Sequence, residues 1–333
     1  MVNKSNLPPR LKWGLISTAR INRALIKPLR VSERNDLVAV ASRSQETADR
    51  YAAEWEIPRA FGSYEAMLEH PGIDVVYNSL PNSLHAEWTM KALQAGKHVL
   101  CEKPLATTLE DVDAMQDAAK KSGYHVVEAF MYRHHPQTLK VKEMVEQGAV
   151  GNVRMIKGEF TFNIASETNV RLDPDLGGGS VWDVGCYPIS YARYILGLEP
   201  EEVFGWQVTG NSGVDEVFSG QVRFPGGVFA QFDSGFRSPY RSRIEIVGSQ
   251  GAMVIPRPFN PDLDASVQLW DGENLEKIKM PSQELYLGEV EDLADVILLG
   301  KLPRMSLEDS RNNVKTILAL LRSAHYGKPE TLA

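Results

Sequence analysis

The chain has 333 residues, 43% hydrophobic and 24% charged, with 36 Lys and Arg against 43 Asp and Glu for a formal net charge of -7. That length implies about two domains, and the even mixture of apolar and charged residues excludes disorder and a coiled coil. The acidic balance speaks against nucleic acid as a partner, two cysteines are too few for a disulfide framework, and no apolar run approaches the ~18 to 20 residues of a membrane span.

From Lys12 the apolar WGLI leads through STARIN into a helical pattern running towards Arg30, and LVAVAS at 37–42 reads as the next strand. The alternation then repeats. A helix over 45–55, a short apolar segment at Ala60 and Phe61 and a helix at 63–69 precede the strand DVVYNSL at 74–80. A helix at about 83–95, the strand HVLCE at 98–102, a helix over 108–121 and the strand HVVEAF at 125–130 follow. Strands rich in Val, Leu and Ala between helices predict a doubly wound parallel sheet over residues 1–130.

After about Gly148 the period changes to two. VRMIKGEFTFNI, EVFGWQVTGN, DEVFSGQVRF, GVFAQFDSGF and SRIEIVG predict antiparallel strands, with a turn at Phe224-Pro225-Gly226-Gly227. Helical spacing returns at DVILLG near 295 and VKTILALLR near 314. Residues 131–305 thus read as an α+β domain with an open-faced, mainly antiparallel sheet, and the last helix, 306–333, as a segment that packs back on the first domain. Aromatics on the uncovered face, with Phe218 and Phe229 or their neighbours as candidates, predict a sheet-to-sheet homodimer.

In a doubly wound sheet ligands bind at the carboxyl ends of the strands, which directs attention to the turn after Ile16. It reads Ser17-Thr18-Ala19-Arg20-Ile21-Asn22, with Ser, Ala and Asn where a dinucleotide fingerprint has glycines. Small side chains still allow a pyrophosphate to approach, and the helix behind them offers amide donors. The second strand ends at Ser42-Arg43-Ser44 and lacks the carboxylate that binds a ribose 2′-hydroxyl. A hydroxyl and a guanidinium there suit a 2′-phosphate, which predicts NADP(H) over NAD(H). At the end of the strand 98–102, Pro104 restrains Lys103 to an extended backbone at the sheet's carboxyl edge. In Gly177-Gly178-Gly179-Ser180-Val181-Trp182-Asp183-Val184-Gly185-Cys186-Tyr187, Asp183 and Tyr187 are four apart and share a face if the segment is helical.

Glu102-Lys103-Pro104, Pro81-Asn82-Ser83-Leu84-His85 and the glycine-rich segment ending in Tyr187 together resemble the glucose-fructose oxidoreductase/inositol dehydrogenase (Gfo/Idh/MocA) family over almost the whole chain. EAFMYRHHP at 128–136 and NVRLDPDLGGGSVWDVGCYPI at 169–189 are most similar to the branch with NADP-dependent D-xylose 1-dehydrogenase, dihydrodiol dehydrogenase and sugar ketoreductases. The resemblance implies a Rossmann domain, an open-faced sheet domain and hydride transfer between nicotinamide and a sugar-like alcohol or carbonyl. It also implies cofactor contacts from Leu80, Asn82, His85 and Glu102. Arg133 and His135 would line the interdomain cleft, with Asn169 and Arg171 reaching substrate from the other side.

Such a reaction needs a base for the hydroxyl proton, and Tyr187 is the candidate, with Lys103 lowering a phenol pKa that is ~10 when free and binding the reacting oxygen. Asp183 is expected to position substrate or to balance Lys103. Adjacent His134 and His135 diverge and no ligand spacing is present, so no metal is expected, and Cys101 and Cys186 read as buried packing residues in a cytoplasmic protein. The alternatives are a keto-sugar reductase of the same family and a nonenzymatic NADP-binding regulator.

Overall fold

The computed structural model describes residues 10–261 and 265–332. The chain divides into two compact units, the first containing the residues up to Leu105, Glu110–Met131 and Tyr286–Leu307, the second Ala106–Leu109, Tyr132–Leu285 and Glu308 onwards.

The N-terminal run alternates β1 (Leu11–Ile16), α1 (Asn22–Val31), β2 (Asn35–Ala41), α2 (Gln45–Glu54), β3 (Arg59–Phe61), α3 (Tyr64–Leu68) and β4 (Val75–Asn78). It continues through α4 (His85–Gln94), β5 (His98–Glu102), α5 (Leu109–Ser122) and β6 (Val126–Ala129). The six strands pair in parallel in the order β3-β2-β1-β4-β5-β6. Strands covered on both faces are buried along their length, as are all residues of the central β4 and of the edge strand β6, Asn78 and Glu128 among them. Ser44 and Ser63 start α2 and α3 by accepting hydrogen bonds from Thr47 N and Ala66 N. Strand order reverses between β1 and β4, so a crevice opens there at the carboxyl ends.

The second unit contains α6 (Pro136–Glu146), β7 (Val153–Asn163), α7 (Cys186–Leu196), β8 (Glu202–Thr209), β9 (Asp215–Phe224), β10 (Val228–Gly235), β11 (Arg237–Gly248), β12 (Ala252–Ile255), β13 (Ser266–Trp270) and β14 (Leu275–Lys279). They form a sheet of order β14-β13-β12-β11-β7-β10-β9-β8-β15, where β15 is Glu330–Thr331. All its pairs are antiparallel except β7 with β10, which run parallel, so the sheet is mainly antiparallel as expected. No hairpin joins those two strands, so nothing local fixes their direction.

Side-chain parity on β9 decides which aromatics reach solvent. Phe218, Val222 and Phe224 point into the core while Ser219, Gln221 and Arg223 point out. Phe218 is therefore fully buried, and the uncovered face carries Phe229 with Trp206, Val208, Trp270 and Leu275 instead. The inner aromatic cluster joins Tyr132, Phe160, Tyr187, Tyr191 and Phe259.

Two further helices, α8 (Leu287–Leu299) and α9 (Leu307–Tyr326), complete the chain, and their destinations differ from the sequence reading. It is α8 that joins the first unit: Val290, Leu293 and Ala294 share a core with Trp13, Leu25, Leu29, Val40 and Tyr77. Arg34 adds a bond to Glu291 at 2.8 Å and one to Asp295 at 2.5 Å. By contrast α9 lies in the second unit, where Gly205 N donates to Ser323 Oγ at 3.1 Å and β15 pairs with β8.

Candidate active site

The turn after β1 adopts the backbone of a glycine turn without the glycine. Ser17 has φ of 82°, a left-handed conformation that costs a non-glycine residue ~1 to 2 kcal/mol. Hydrogen bonds offset that cost. Asn22 Nδ2 donates to Ser17 O at 2.8 Å, and Ala19 N donates to Ser17 Oγ at 3.1 Å. Ser79, just beyond β4, places its Oγ 2.6 Å from Asn22 Oδ1, 2.9 Å from Ile16 O and 3.1 Å from Ser17 Oγ. Ser79 is thus a structural part of the turn that the sequence reading passed over, and Asn22, noted there only as a polar residue at a glycine position, is the fully buried residue that ties the turn down.

The amides of Thr18, Arg20 and Ile21 have no acceptor among the described residues, while those of Asn22, Arg23 and Ala24 bond Ala19, Arg20 and Ile21 carbonyls. Free amides at a helix start fit a pyrophosphate. On the neighbouring strand Ser42 is 8% exposed, and Arg43 is exposed with no carboxylate partner among the described residues. This donor set fits a dinucleotide with an additional phosphate.

At the end of β5, Lys103 is half-buried and precedes Pro104 through a cis peptide bond. Each neighbour of Lys103 is held. Tyr77 OH donates to Glu102 Oε1, Leu105 N donates to Glu128 Oε1 at 2.8 Å, and Pro104 O lies 2.8 Å from His85 Nδ1. The other His85 nitrogen lies 2.8 Å from Leu80 O. Two carbonyls favour the imidazolium, but burial outweighs them and, with Lys103 nearby, holds His85 neutral with its pKa lowered to about 4. A neutral ring has one N–H, so His85 donates to one of these two carbonyls and sets its other nitrogen beside the second, packed between the Leu80 and Pro104 loops. Asn82 is half-buried on the same loop.

In the second unit, residues Val181–Gly185 form a π-helical turn that runs directly into α7. It places Tyr187, 5% exposed, against Tyr132, Phe160 and Phe259 at ring distances of 5.8, 5.3 and 5.2 Å. Asp183 Oδ2 accepts from Arg171 Nε at 2.7 Å, and Asn169 Oδ1 accepts from Arg171 N at 3.0 Å. Asp183, Arg171 and Asn169 therefore form one group. Arg133 and His135 do not join it. Arg133, 4% exposed, binds Asp309 at 2.7 Å and Ser190 at 3.2 Å and stacks over Tyr194. His135 Nδ1 accepts from Gln137 N and caps α6, and burial keeps it neutral with a pKa lowered to about 4. Both residues are thus engaged in supporting the fold of the second unit. Among the described residues no three or more His, Cys, Asp or Glu side chains are arranged to hold a metal, and no helix is long and apolar enough to cross a membrane.

The fold and the two groups of residues define an oxidoreductase with a dinucleotide-binding domain, and comparison with known proteins is specific. Residues 11–130 match the oxidoreductase family with an NAD-binding Rossmann fold, and residues 138–254 match the GFO/IDH/MocA C-terminal domain. The chain belongs to the Gfo/Idh/MocA family. It is 36% identical over 322 residues to D-xylose 1-dehydrogenase (NADP(+)) 2 of Haloferax volcanii, covering 95% of this chain and 98% of that one. It is 34% identical to trans-1,2-dihydrobenzene-1,2-diol dehydrogenase of Xenopus laevis over 74% of this chain and 75% of the relative. A crystal structure of a 3-ketoreductase from Actinomadura kijaniata in complex with NADP and TDP-benzene superposes with a TM-score of 0.89 at 30% identity, over 94% of this chain and 98% of that one.

Proposed function

We propose that the protein transfers hydride between NADP(H) and a sugar or sugar-like cyclic alcohol or carbonyl, with Tyr187 as acid/base and Lys103 assisting it. The observation that carries the cofactor assignment is the edge of the first sheet, where amides of Thr18, Arg20 and Ile21 lie one strand from the Arg43 guanidinium, all without a partner among the described residues. The substrate class follows from relatives that are named for xylose, a dihydrodiol and a deoxysugar ketone.

Bound at that edge, the nicotinamide supplies the hydride acceptor or donor. The chain's own residues manage the proton and the geometry. Ser17, Thr18, Ala19, Arg20 and Ile21 hold the pyrophosphate, Ser42 and Arg43 the 2′-phosphate, and Leu80, Asn82 and Glu102 the nicotinamide side. Lys103 steadies charge on the reacting oxygen, and Tyr187 takes the hydroxyl proton in oxidation and returns it in reduction. Asp183, oriented by Arg171, accepts from a neighbouring substrate hydroxyl. We further assign the open sheet face to a homodimer and the protein, whose two cysteines are not disulfide-bonded, to the cytoplasm.

The decisive experiment is an NADP+ reduction screen over aldoses, inositols, anhydrosugars and cyclic diols, run beside NADPH oxidation with keto sugars. On the best substrate, Tyr187→Phe is expected to lower turnover roughly 10²-fold or more with NADP(H) affinity unchanged. Near-normal turnover would reject Tyr187 as the acid/base. NADP(H) binding without turnover of any substrate would favour a regulatory protein.

A further inference from the structure

The π-helical turn that joins Asp183 to Tyr187 is a rare geometry, and its start is fastened from the neighbouring sheet. Ser180 Oγ donates to Asp215 Oδ2 at 2.6 Å, and Val181 N donates to the same oxygen at 2.9 Å. Backbone N–H groups of Ser180 and of Asp215 itself also bond the carboxylate. Ser234 Oγ on β10 lies 3.0 Å from Ser180 Oγ, whose proton is committed to Asp215, so Ser234 is the donor. Ser180 and Ser234 are fully buried, and Asp215 is 5% exposed. Gly179, at φ of 125°, lets the chain pass so near that an added Cβ would meet Asp215 Oδ1 at 2.4 Å.

Among the described residues no positive charge pairs with this carboxylate, because the nearby arginines have other partners. Arg171 is paired with Asp183, Arg237 with Glu216, and Arg241 with Asp233, while the β8 residue opposite Asp215 is the uncharged Thr209. Burial pushes Asp215 up to about 6 against the pull of its hydrogen bonds. We propose that Asp215 is a positioning residue, which holds the turn presenting Asp183 and Tyr187 only while its carboxylate is ionised. Ionised, it accepts from every donor around it. Protonated, it has one acceptor fewer, and Ser180 and Val181 compete for what remains.

This reading rests on the role proposed for Tyr187, so one readout must be independent of catalysis. Trp182, inside the turn, provides it: its fluorescence is isolated by subtracting the signal of Trp182→Phe. Turnover, Trp182 fluorescence and NADP(H) affinity are measured across about pH 5 to 9 for wild type, Asp215→Asn and Ser180→Ala. Wild-type turnover is expected to fall with decreasing pH through an apparent pKa near 6, and Trp182 to change in step. Asp215→Asn, which keeps an acceptor at every pH, should lose both transitions and turn over about tenfold more slowly at high pH, with NADP(H) affinity unchanged. Ser180→Ala removes a bond to the charged form and should move both transitions to higher pH; it also serves if Asp215→Asn does not fold.

Transitions that persist unchanged in Asp215→Asn, or that stay in place in Ser180→Ala, would overturn the assignment. A Trp182 transition abolished in Asp215→Asn but without any counterpart in turnover would overturn the link to catalysis. Should Tyr187→Phe prove fully active, the Trp182 transition still decides whether Asp215 controls the turn.

Discussion

A serine in a left-handed turn, an asparagine that ties it down and an arginine one strand away, unpaired among the described residues, lie together at the edge proposed for the cofactor. Ser17 keeps the backbone shape of the glycine it replaces because Asn22 and Ser79 bond around it. Arg43 has no such local duty. Its guanidinium is exposed and unpaired among the described residues, so removing it should disturb the ligand and leave the fold intact. Arg43→Ala is expected to raise KM for NADP(H) on the order of tenfold to a hundredfold, the loss of a charge-assisted bond, while sparing NAD(H). Steady-state kinetics with both cofactors check this, and an equal effect on the two would refute the assignment. Arg43 could be named as a candidate from the sequence because a strand end without a carboxylate is a local fact. The duty of His85 was not: its partners Leu80 O and Pro104 O come together only when two loops fold against each other.

Among elements, α8 and α9 make the same contrast. Both have helical spacing, and their periodicity marks which side is apolar without saying which sheet will cover it. The charges on their faces were the missing information. Glu291 and Asp295 of α8 meet Arg34 after α1, whereas Asp309 of α9 meets Arg133 and Arg193, which are 4% and 3% exposed. Burial pushes Asp309 up, but the two guanidinium groups outweigh it and hold its carboxyl below the usual range. Asp309→Ala would leave both arginines without that partner, and breaking a buried pair costs about 3 to 5 kcal/mol. Urea denaturation at neutral pH is expected to report a loss near the lower end, since Asp309 is itself 22% exposed. The sign with pH follows from the depressed pKa. The stabilisation is present above the unfolded value of ~3.9 and is lost as pH falls through the folded one, so wild type and variant should converge in acid. A difference that persists below that range would assign the effect to packing.

At the scale of the whole molecule, the change from helical to two-residue period near residue 148 marked two architectures, and the strands that carry the site lay within them. Which face of the larger sheet stays uncovered was harder to read, because parity shifts wherever a strand begins one residue earlier or later, as Phe218 shows. The open face has a composition suited to a second copy of itself. Its centre carries Lys157 with Glu245 and Arg241 with Asp233, while Trp206, Val208, Phe229, Trp270 and Leu275, each 48% to 68% exposed, surround these pairs. An isolated face of that kind exceeds what scattered exposed residues explain, and its mixed charges are self-complementary across a two-fold axis. The 37.1 kDa chain is therefore expected to sediment at twice its mass at micromolar concentration, and the double variant Trp206→Asp, Phe229→Asp to sediment as a monomer with its NADP(H) affinity retained. A wild-type monomer under the same conditions would reject the dimer. A dimer that survives both substitutions would move the interface to another surface.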